Sequence, residues 1–268
     1  MSWKVQASRA VSKFGAVAAR SEPVASLGQT RLDASPFLSR PERQALEDAA
    51  LFARAVPAGA SLVGEGEATD RLIVVISGWA GRFKTTRSGD RQIIGLALPG
   101  DLANLNTMLL ARSGYGVRAF TDVHAVAFDR QRVLQLASQH PGIARTLTWL
   151  ALVETEWLGQ WLMCLGRQSA MQRLAHLFCE LSARLDGQPH RHGGYELPLT
   201  QEHIADLLGL TPVHVNRTMQ QLRANGLVTI SRRSFSVLNV RALESLADFH
   251  PGYLHQQPDA DLAGLAAC

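Results

Sequence analysis

Residues 201–220 read QEHIADLLGLTPVHVNRTMQ, and the order of small, apolar and polar side chains in them decides the reading of the whole chain. Ala205 is small where two helices must cross closely. Gly209 follows four residues later, where the chain must turn and a residue without Cβ takes φ > 0 without strain. Ile204, Leu208, Leu210 and Val215 are spaced to fill the seam between the two helices. Thr211 can cap the second helix through its hydroxyl, and Pro212 then sits at the first helical position, where its missing N–H costs nothing. This is the pattern of a helix-turn-helix. Arg217 falls one turn into the second helix, on the side that would face DNA, where a guanidinium can donate two parallel hydrogen bonds to guanine O6 and N7.

The flanks agree. Leu222 to Ile230 reads LRANGLVTI, a helix end stopped by Asn225-Gly226 and followed by a short β-like run. Arg232 and Arg233 come next, then a second β-like run, Phe235 to Val240. That predicts a hairpin, or wing, with two arginines at its turn, placed for phosphate contact. The expected DNA-contacting set is Thr200, Gln201, Thr211, Pro212, Val213, His214, Asn216, Arg217, Arg232 and Arg233.

Upstream of this module the pattern is helical from Pro141. Ile143, Leu147, Leu150, Glu154, Trp157, Trp161 and Cys164 follow at alternating steps of four and three, a heptad seam apolar except at Glu154. Pairing of two copies along it, through Leu147, Leu150, Glu154, Trp157, Trp161 and Cys164, is one way to bury the seam. Packing on the chain's own barrel is the other. Gly166 breaks the helix, and Gln168 to Leu185 reads as a second amphipathic helix. Before Pro141 lie short apolar runs: Ser61 to Val63, Arg71 to Ile76, Trp79 to Thr85, Gln92 to Leu98 and His124 to Phe128. Turn residues separate them, as at Ser88-Gly89-Asp90 and Pro99-Gly100-Asp101, so a β-barrel or β-roll is predicted. A helix over Pro41 to Ala55 precedes the runs. The expected organisation is an N-terminal tail (1–30), a sensor roll (31–140), a dimerisation helix (141–166), a winged helix-turn-helix (167–248) and a C-terminal tail (249–268).

Composition sets bounds on this reading. The 268 residues are 46% hydrophobic and 19% charged, ordinary for a globular protein. Net charge is only +4, but between Gly166 and Arg241 nine arginines face five acids, a local excess suited to nucleic acid. Three scattered cysteines, Cys164, Cys179 and Cys268, make neither a metal cluster nor an even disulfide set, which fits a reducing, cytoplasmic setting. The apolar stretch Ile143 to Leu165 carries Arg145, Glu154 and Glu156 and is a poor membrane span. No paired carboxylates, nucleophile elbow or phosphate loop stands at convincing spacing, so an enzyme is not expected.

A β-roll, a long helix and a winged helix-turn-helix in this order resemble the Crp/Fnr family of bacterial transcription regulators, over roughly residues 35–245. The resemblance rests on GEGEATDRLIVVISGWAGRF (64–83), Pro99-Gly100-Asp101, VRAFTDV (117–123), RLAHLFCEL (173–181) and the helix-turn-helix. It implies an α+β fold: an N-terminal antiparallel β-roll like a double-stranded β-helix, a long dimerisation helix and a C-terminal winged helix-turn-helix. It also implies a homodimer on a palindromic site, with half-sites about one helical turn, ~34 Å, apart. Contact with RNA polymerase and control by a signal sensed in the roll or along the dimer helix follow from it too. Arg217 matches the family's guanine-reading Arg. Pro212 and Val213 replace the Arg and Glu usual earlier in that helix, and Val213 could touch a thymine methyl. The competing reading is an effector- or partner-binding module that binds DNA only weakly and without sequence preference.

Cyclic-nucleotide-binding members carry Gly-Glu after the turn that Pro99-Gly100-Asp101 matches, and Arg-Ser-Ala some residues later to hold the phosphate. Here the chain reads Asp101-Leu102-Ala103-Asn104-Leu105, and Ser113-Gly114-Tyr115 stands ahead of Val117-Arg118-Ala119. Asn104, Arg112, Ser113 and Arg118 are the residues left to form an effector pocket, with Arg112 one position from the phosphate slot. An anion without its cation is costly to bury, which argues against cyclic AMP. Three cysteines argue against an iron–sulfur cluster. Haem stays open, with nine histidines available; His190 and His192 sit in a Pro/Gly loop. Cys164 on the seam reads as a buried inert thiol or as a redox switch.

Overall fold

The computed structural model describes residues 27–28, 30–185, 194–231 and 233–256. Helix α1 (Arg40–Asp48) starts at Ser39, whose hydroxyl accepts from the Glu42 amide while the Glu42 carboxylate accepts from the Ser39 amide. The sequence predicts this helix through Ala55, yet Ala50–Val56 is strand β1. The cause lies outside the segment. β1 pairs with the strand Val123–Asp129, and that ladder outweighs local helical preference.

The remaining strands of the roll are β2 (Ser61–Val63), β3 (Arg71–Ser77), β4 (Ala80–Thr85), β5 (Arg91–Ala97), β6 (Gly116–Ala119) and β7 (Val123–Asp129). They form two antiparallel sheets, ordered β1-β7-β3 and β2-β6-β4-β5. The sheets close on small apolar side chains, among them Val75, Ala80, Ala97, Val117, Ala119 and Ala125. Along β3 the faces alternate: Ile73 and Val75 fill this interior, while Leu72 and Val74 join Val126 and Phe128 in a second core outside it. Helix α1, helix α2 (Arg130–Gln139) and the first half of helix α3 (Pro141–Arg167) cover that second core. Asp129 caps α2, which the sequence reading did not anticipate.

The C-terminal half comprises α4 (Ala170–Leu185), β8 (Tyr195–Glu196), α5 (Gln201–Leu208), α6 (Pro212–Ala224), β9 (Val228–Ser231), β10 (Ser234–Val237) and α7 (Val240–Ala247). The small sheet is ordered β8-β10-β9. The predicted strand Phe235 to Val240 ends at Val237 because Asn239 caps α7 through the Ala242 amide. One core joins the two halves. It takes Trp79, Ile93 and Leu96 from the roll, Trp157 and Trp161 from α3, and Phe178, Leu207 and Phe235 from the winged domain.

Both expected tails need correction at their inner ends. Phe249 and Leu254 are buried, and a 3-10 turn, Pro251–Leu254, packs on α3. The apolar side chains of that turn complete the shared core, and Arg31 Nη2 donates to the Leu254 carbonyl at 2.9 Å. At the other end Leu27 and Thr30 are buried as well. The rest of both segments, 1–26 and 257–268, lies outside the described residues, as do His190, His192 and Cys268.

The C-terminal turn also sets the state of a buried histidine. The Tyr253 hydroxyl donates to Glu180 Oε2 at 2.8 Å, so its single proton is spent, and His176 Nε2, 3.1 Å away, must be the donor to it. Burial holds the His176 imidazole below its ordinary 6.5, outweighing the nearby Glu180 carboxylate. On acidification the unfolded chain therefore takes up this proton before the folded one does. The stability this group contributes is complete above about pH 6.5 and is lost as pH falls further. We expect the melting temperature to drop on going from pH 7.5 to 5.5, and to drop less in His176→Gln, measured by thermal denaturation across that range.

Candidate DNA-reading surface and sensor cleft

Helix α6 is built to present one face. The Thr211 hydroxyl accepts from the His214 amide at 3.2 Å and Pro212 occupies the first turn. Gly209, at φ 63°, ends α5, and Arg173 Nη1 donates to the Leu208 carbonyl at 2.9 Å, fixing the turn between the helices. Val215, Thr218, Met219 and Leu222 face the core. Pro212, Val213, Asn216, Arg217 and Gln220 face outward, and Val213 is 81% exposed. His214 is half-buried. Four residues separate Val213 from Arg217, so they share a face one turn apart. No acid occurs among the thirteen residues of α6. The helix thus offers hydrogen-bond donors and an apolar tip to a polyanion, with nothing on it that repels one.

Thr200 caps α5, accepting from the His203 amide at 3.1 Å, and Gln201 is exposed beside it. Arg233 is exposed at the tip of the β9–β10 hairpin; Arg232 lies outside the described residues. The inner side of α5 is fastened to the roll. Arg91 Nη2 meets Asp206 at 2.6 Å, Gln92 Nε2 donates to the Leu207 carbonyl at 3.2 Å, and His203 stacks on Phe120 at 4.2 Å. Burial, helped by the charge of Arg91, holds the His203 imidazole below its ordinary value. No local sequence pattern signals these ties, since each joins residues more than 80 positions apart.

The expected dimer seam is largely taken up within the chain itself. Leu150, Trp157, Trp161 and Cys164 are buried within a single chain, Leu147 packs on the second core, and Glu154 is paired with Arg82 at 2.9 Å. Leu147 and Glu154 keep part of their surface, and the other four keep almost none. The opposite face of α3 is the open one: Leu152 is 61% and Leu162 73% exposed, with Leu158 and Met163 beside them. Thr148, Leu152, Thr155, Gly159, Leu162 and Gly166 are all exposed, and they too follow at steps of four and three.

The expected effector residues do not converge. Asn104 is fully buried and serves the backbone: its Oδ1 accepts from the Ile73 amide and its Nδ2 donates to the Arg71 carbonyl. Ser113 is buried and donates to the Tyr115 carbonyl. Arg112 is exposed and donates to the Gly66 carbonyl, and Arg118 lies over the Phe83 ring at 5.8 Å. A cleft lies elsewhere, where the roll meets α3 and α4. It has a volume of about 80 Å³ and is lined by Arg82, Tyr115, Glu154, Trp157 and Arg184 among others, from the roll, α3 and α4.

Arg82 reaches into this cleft from the middle of β4. Its Nε donates to the Ala103 carbonyl at 3.1 Å, and its Nη2 donates to the Leu102 carbonyl and to Glu154 Oε1. Burial works to lower the Arg82 pKa, but Glu154, Tyr115 and Asp101 outweigh it and keep the guanidinium charged. Burial raises the Glu154 carboxyl, and Arg82 opposes that rise. Next to this pair, Arg184 Nη2 bonds to Asp101 and Nη1 to Glu180, both carboxylates being buried. Arg31 Nε stands 3.4 Å from Asp101. The guanidiniums of Arg31 and Arg184 lie over the Trp157 ring at 4.3 and 4.5 Å.

A cyclic nucleotide does not fit this arrangement. The four charges that line the cleft are two arginines and two glutamates, and each arginine is already bonded to carboxylate. A phosphate there would be a buried anion without a cation of its own. Cys164 and Cys179 are buried, and burial pushes their thiols up to about 11 and about 12, so both stay protonated and unreactive at neutral pH. Among the described residues no helix is long and apolar enough to cross a membrane, and no three His, Cys, Asp or Glu side chains gather to share a metal ion.

Comparison with known proteins adds independent evidence. Residues 172–246 match the Crp-like helix-turn-helix domain, and residues 53–140 match the cyclic nucleotide-binding domain. The transcriptional activatory protein AadR of Rhodopseudomonas palustris is 30% identical over 190 residues, 70% of this chain and 77% of that protein. The transcriptional activator protein FnrL of Cereibacter sphaeroides is 28% identical over 214 residues, 76% of this chain and 84% of that protein. The structure of FixK2 from Bradyrhizobium japonicum superposes with a TM-score of 0.68 at 26% identity, covering 74% of this chain and 96% of the other.

Proposed function

The chain belongs to the Crp/Fnr family of transcription regulators, and from that premise we propose that it binds a palindromic promoter site as a homodimer, in the cytoplasm, and meets RNA polymerase there. The observation that carries this reading is the exposed, acid-free face of α6, with Arg217 one turn behind Val213 on a helix capped by Thr211. Arg217 reads a guanine edge and Val213 packs on a thymine methyl beside it. Thr200, Gln201 and Arg233 hold the phosphates on either side, and Asn216 extends the reading face.

Two copies pair along the open stripe of α3, from Thr148 through Leu152 and Leu162 to Gly166, not along the Trp157 and Trp161 seam. The signal enters through the sensor half, which shares a core with the winged domain and is tied to α5 by Arg91 and Asp206. Footprinting on genomic fragments tests the reading. A two-fold symmetric footprint is expected, and Arg217→Ala is expected to lose about 1–3 kcal/mol of binding and to relax selection at one base position in each half-site. Equal, weak binding to every fragment with a steep salt slope would instead favour a module that holds DNA only through phosphates.

A further inference from the structure

The cleft between the roll and α3 holds part of the chain itself. We propose that Arg82 acts as a built-in ligand: its guanidinium ties the roll to the central helix, and so keeps the dimer ready for DNA without a cyclic nucleotide. This rests on the reading of the chain as a DNA-binding dimer.

The argument begins with strand geometry. Ala80 and Arg82 are two residues apart on β4, so both point to the same side of the sheet, and Ala80 lies in the roll interior. An arginine aimed inward must find acceptors or be expelled. Arg82 finds three: the carbonyls of Leu102 and Ala103, on the segment after β5, and the carboxylate of Glu154 on α3. A small effector could couple these two elements by bonding to both. Arg82 does so while covalently attached, which removes the entropic cost of capturing a free molecule.

The tie leads outward in two directions. Leu158, one turn beyond Glu154, lines the cleft and is also exposed beside the open stripe of α3, so the position of Glu154 bears on the surface where a second copy pairs. Asp101, next to Leu102, is bonded to Arg184 of α4, so the same segment is fastened to the winged domain. Removing the Arg82 side chain leaves Glu154 half-buried without its bonded cation and opens a space shaped for an alkylguanidinium.

The test uses the full-length chain, its footprinted fragment and N-ethylguanidinium as probe. Wild-type affinity for DNA should not change with millimolar cyclic AMP or cyclic GMP. Arg82→Ala should bind about 5–150-fold more weakly, the usual span of coupling between sites. N-ethylguanidinium should restore that affinity saturably while leaving the wild type unchanged, and ethylammonium at equal concentration should not. Wild-type affinity in Arg82→Ala, no restoration of a folded variant, or tighter wild-type binding with cyclic nucleotide would each overturn the proposal. Should Arg82→Ala fail to fold, Glu154→Gln keeps the volume and removes the charge; weakened binding supports the proposal and wild-type binding overturns it. A melting temperature of Arg82→Ala that rises with N-ethylguanidinium, unlike that of the wild type, supports the internal ligand even if no fragment is footprinted. That separates its outcome from the DNA reading.

Discussion

A chain carrying Leu152→Glu and Leu162→Glu is expected to elute as a monomer and to lose about 10²–10⁴-fold in affinity for a site with two half-sites. That is the factor by which joining two modules raises avidity. The two leucines are the most exposed large apolar residues of α3, ten positions apart on one stripe. Glutamates there would be brought together in a buried contact, and like charges are not tolerated in one. The chain's own fold should survive, because neither leucine contributes to its core. Trp161→Ala supplies the contrast. Trp161 belongs to the shared core, so its removal is expected to destabilise the fold by about 3–5 kcal/mol while the remaining folded protein stays dimeric. Size-exclusion chromatography with light scattering and thermal denaturation separate the two outcomes. A dimeric Leu152→Glu, Leu162→Glu chain would return the interface to the other face.

Arg184→Met is expected to lower the unfolding free energy by about 3–5 kcal/mol, the cost of removing one partner from a buried ion pair. Arg184 is enclosed with Asp101, Glu180 and the Leu96 carbonyl, so the loss touches the roll, α4 and the segment beside β5 together. Arg31 still faces Asp101 and Tyr253 still donates to Glu180, which sets the effect toward the lower end of that range. Lysine is no substitute, since its compact ammonium lacks the planar fork that spreads donors to Asp101, Glu180 and the Leu96 carbonyl while lying flat on Trp157. Urea denaturation followed by Trp fluorescence measures the change. An unchanged midpoint in Arg184→Met would mean that the network carries no net stability.

The helix-turn-helix was legible because every level agreed there. A glycine where φ must be positive, a threonine cap, a proline in the first turn and a fixed apolar spacing all name the same local structure. The roll was legible from its turns, although β1 was hidden inside a helical pattern that only its pairing with β7 overrules. Which face of α3 the chain's own core takes was not legible. Periodicity shows that a stripe is buried and says nothing about what buries it, and this helix carries two stripes of the same period. The larger side chains, Trp157 and Trp161, went to the chain's own core, and the leucines were left outside. The Arg82 tie left one trace, an arginine two residues from an inward alanine on a strand. Its partner Glu154 was visible only as a defect in an apolar seam. What joined them was a separation of 72 residues that no local pattern spans.

The bond from Arg31 to the carbonyl of Leu254 reaches across 223 residues. A nascent chain cannot close it until residue 254 has left the ribosome, by which time the roll and α6 have already been synthesised. The clasp is therefore a late event in the life of each molecule, and a chain cut short before Tyr253 would carry α5, α6 and the β9–β10 hairpin yet lack the turn that completes the shared core.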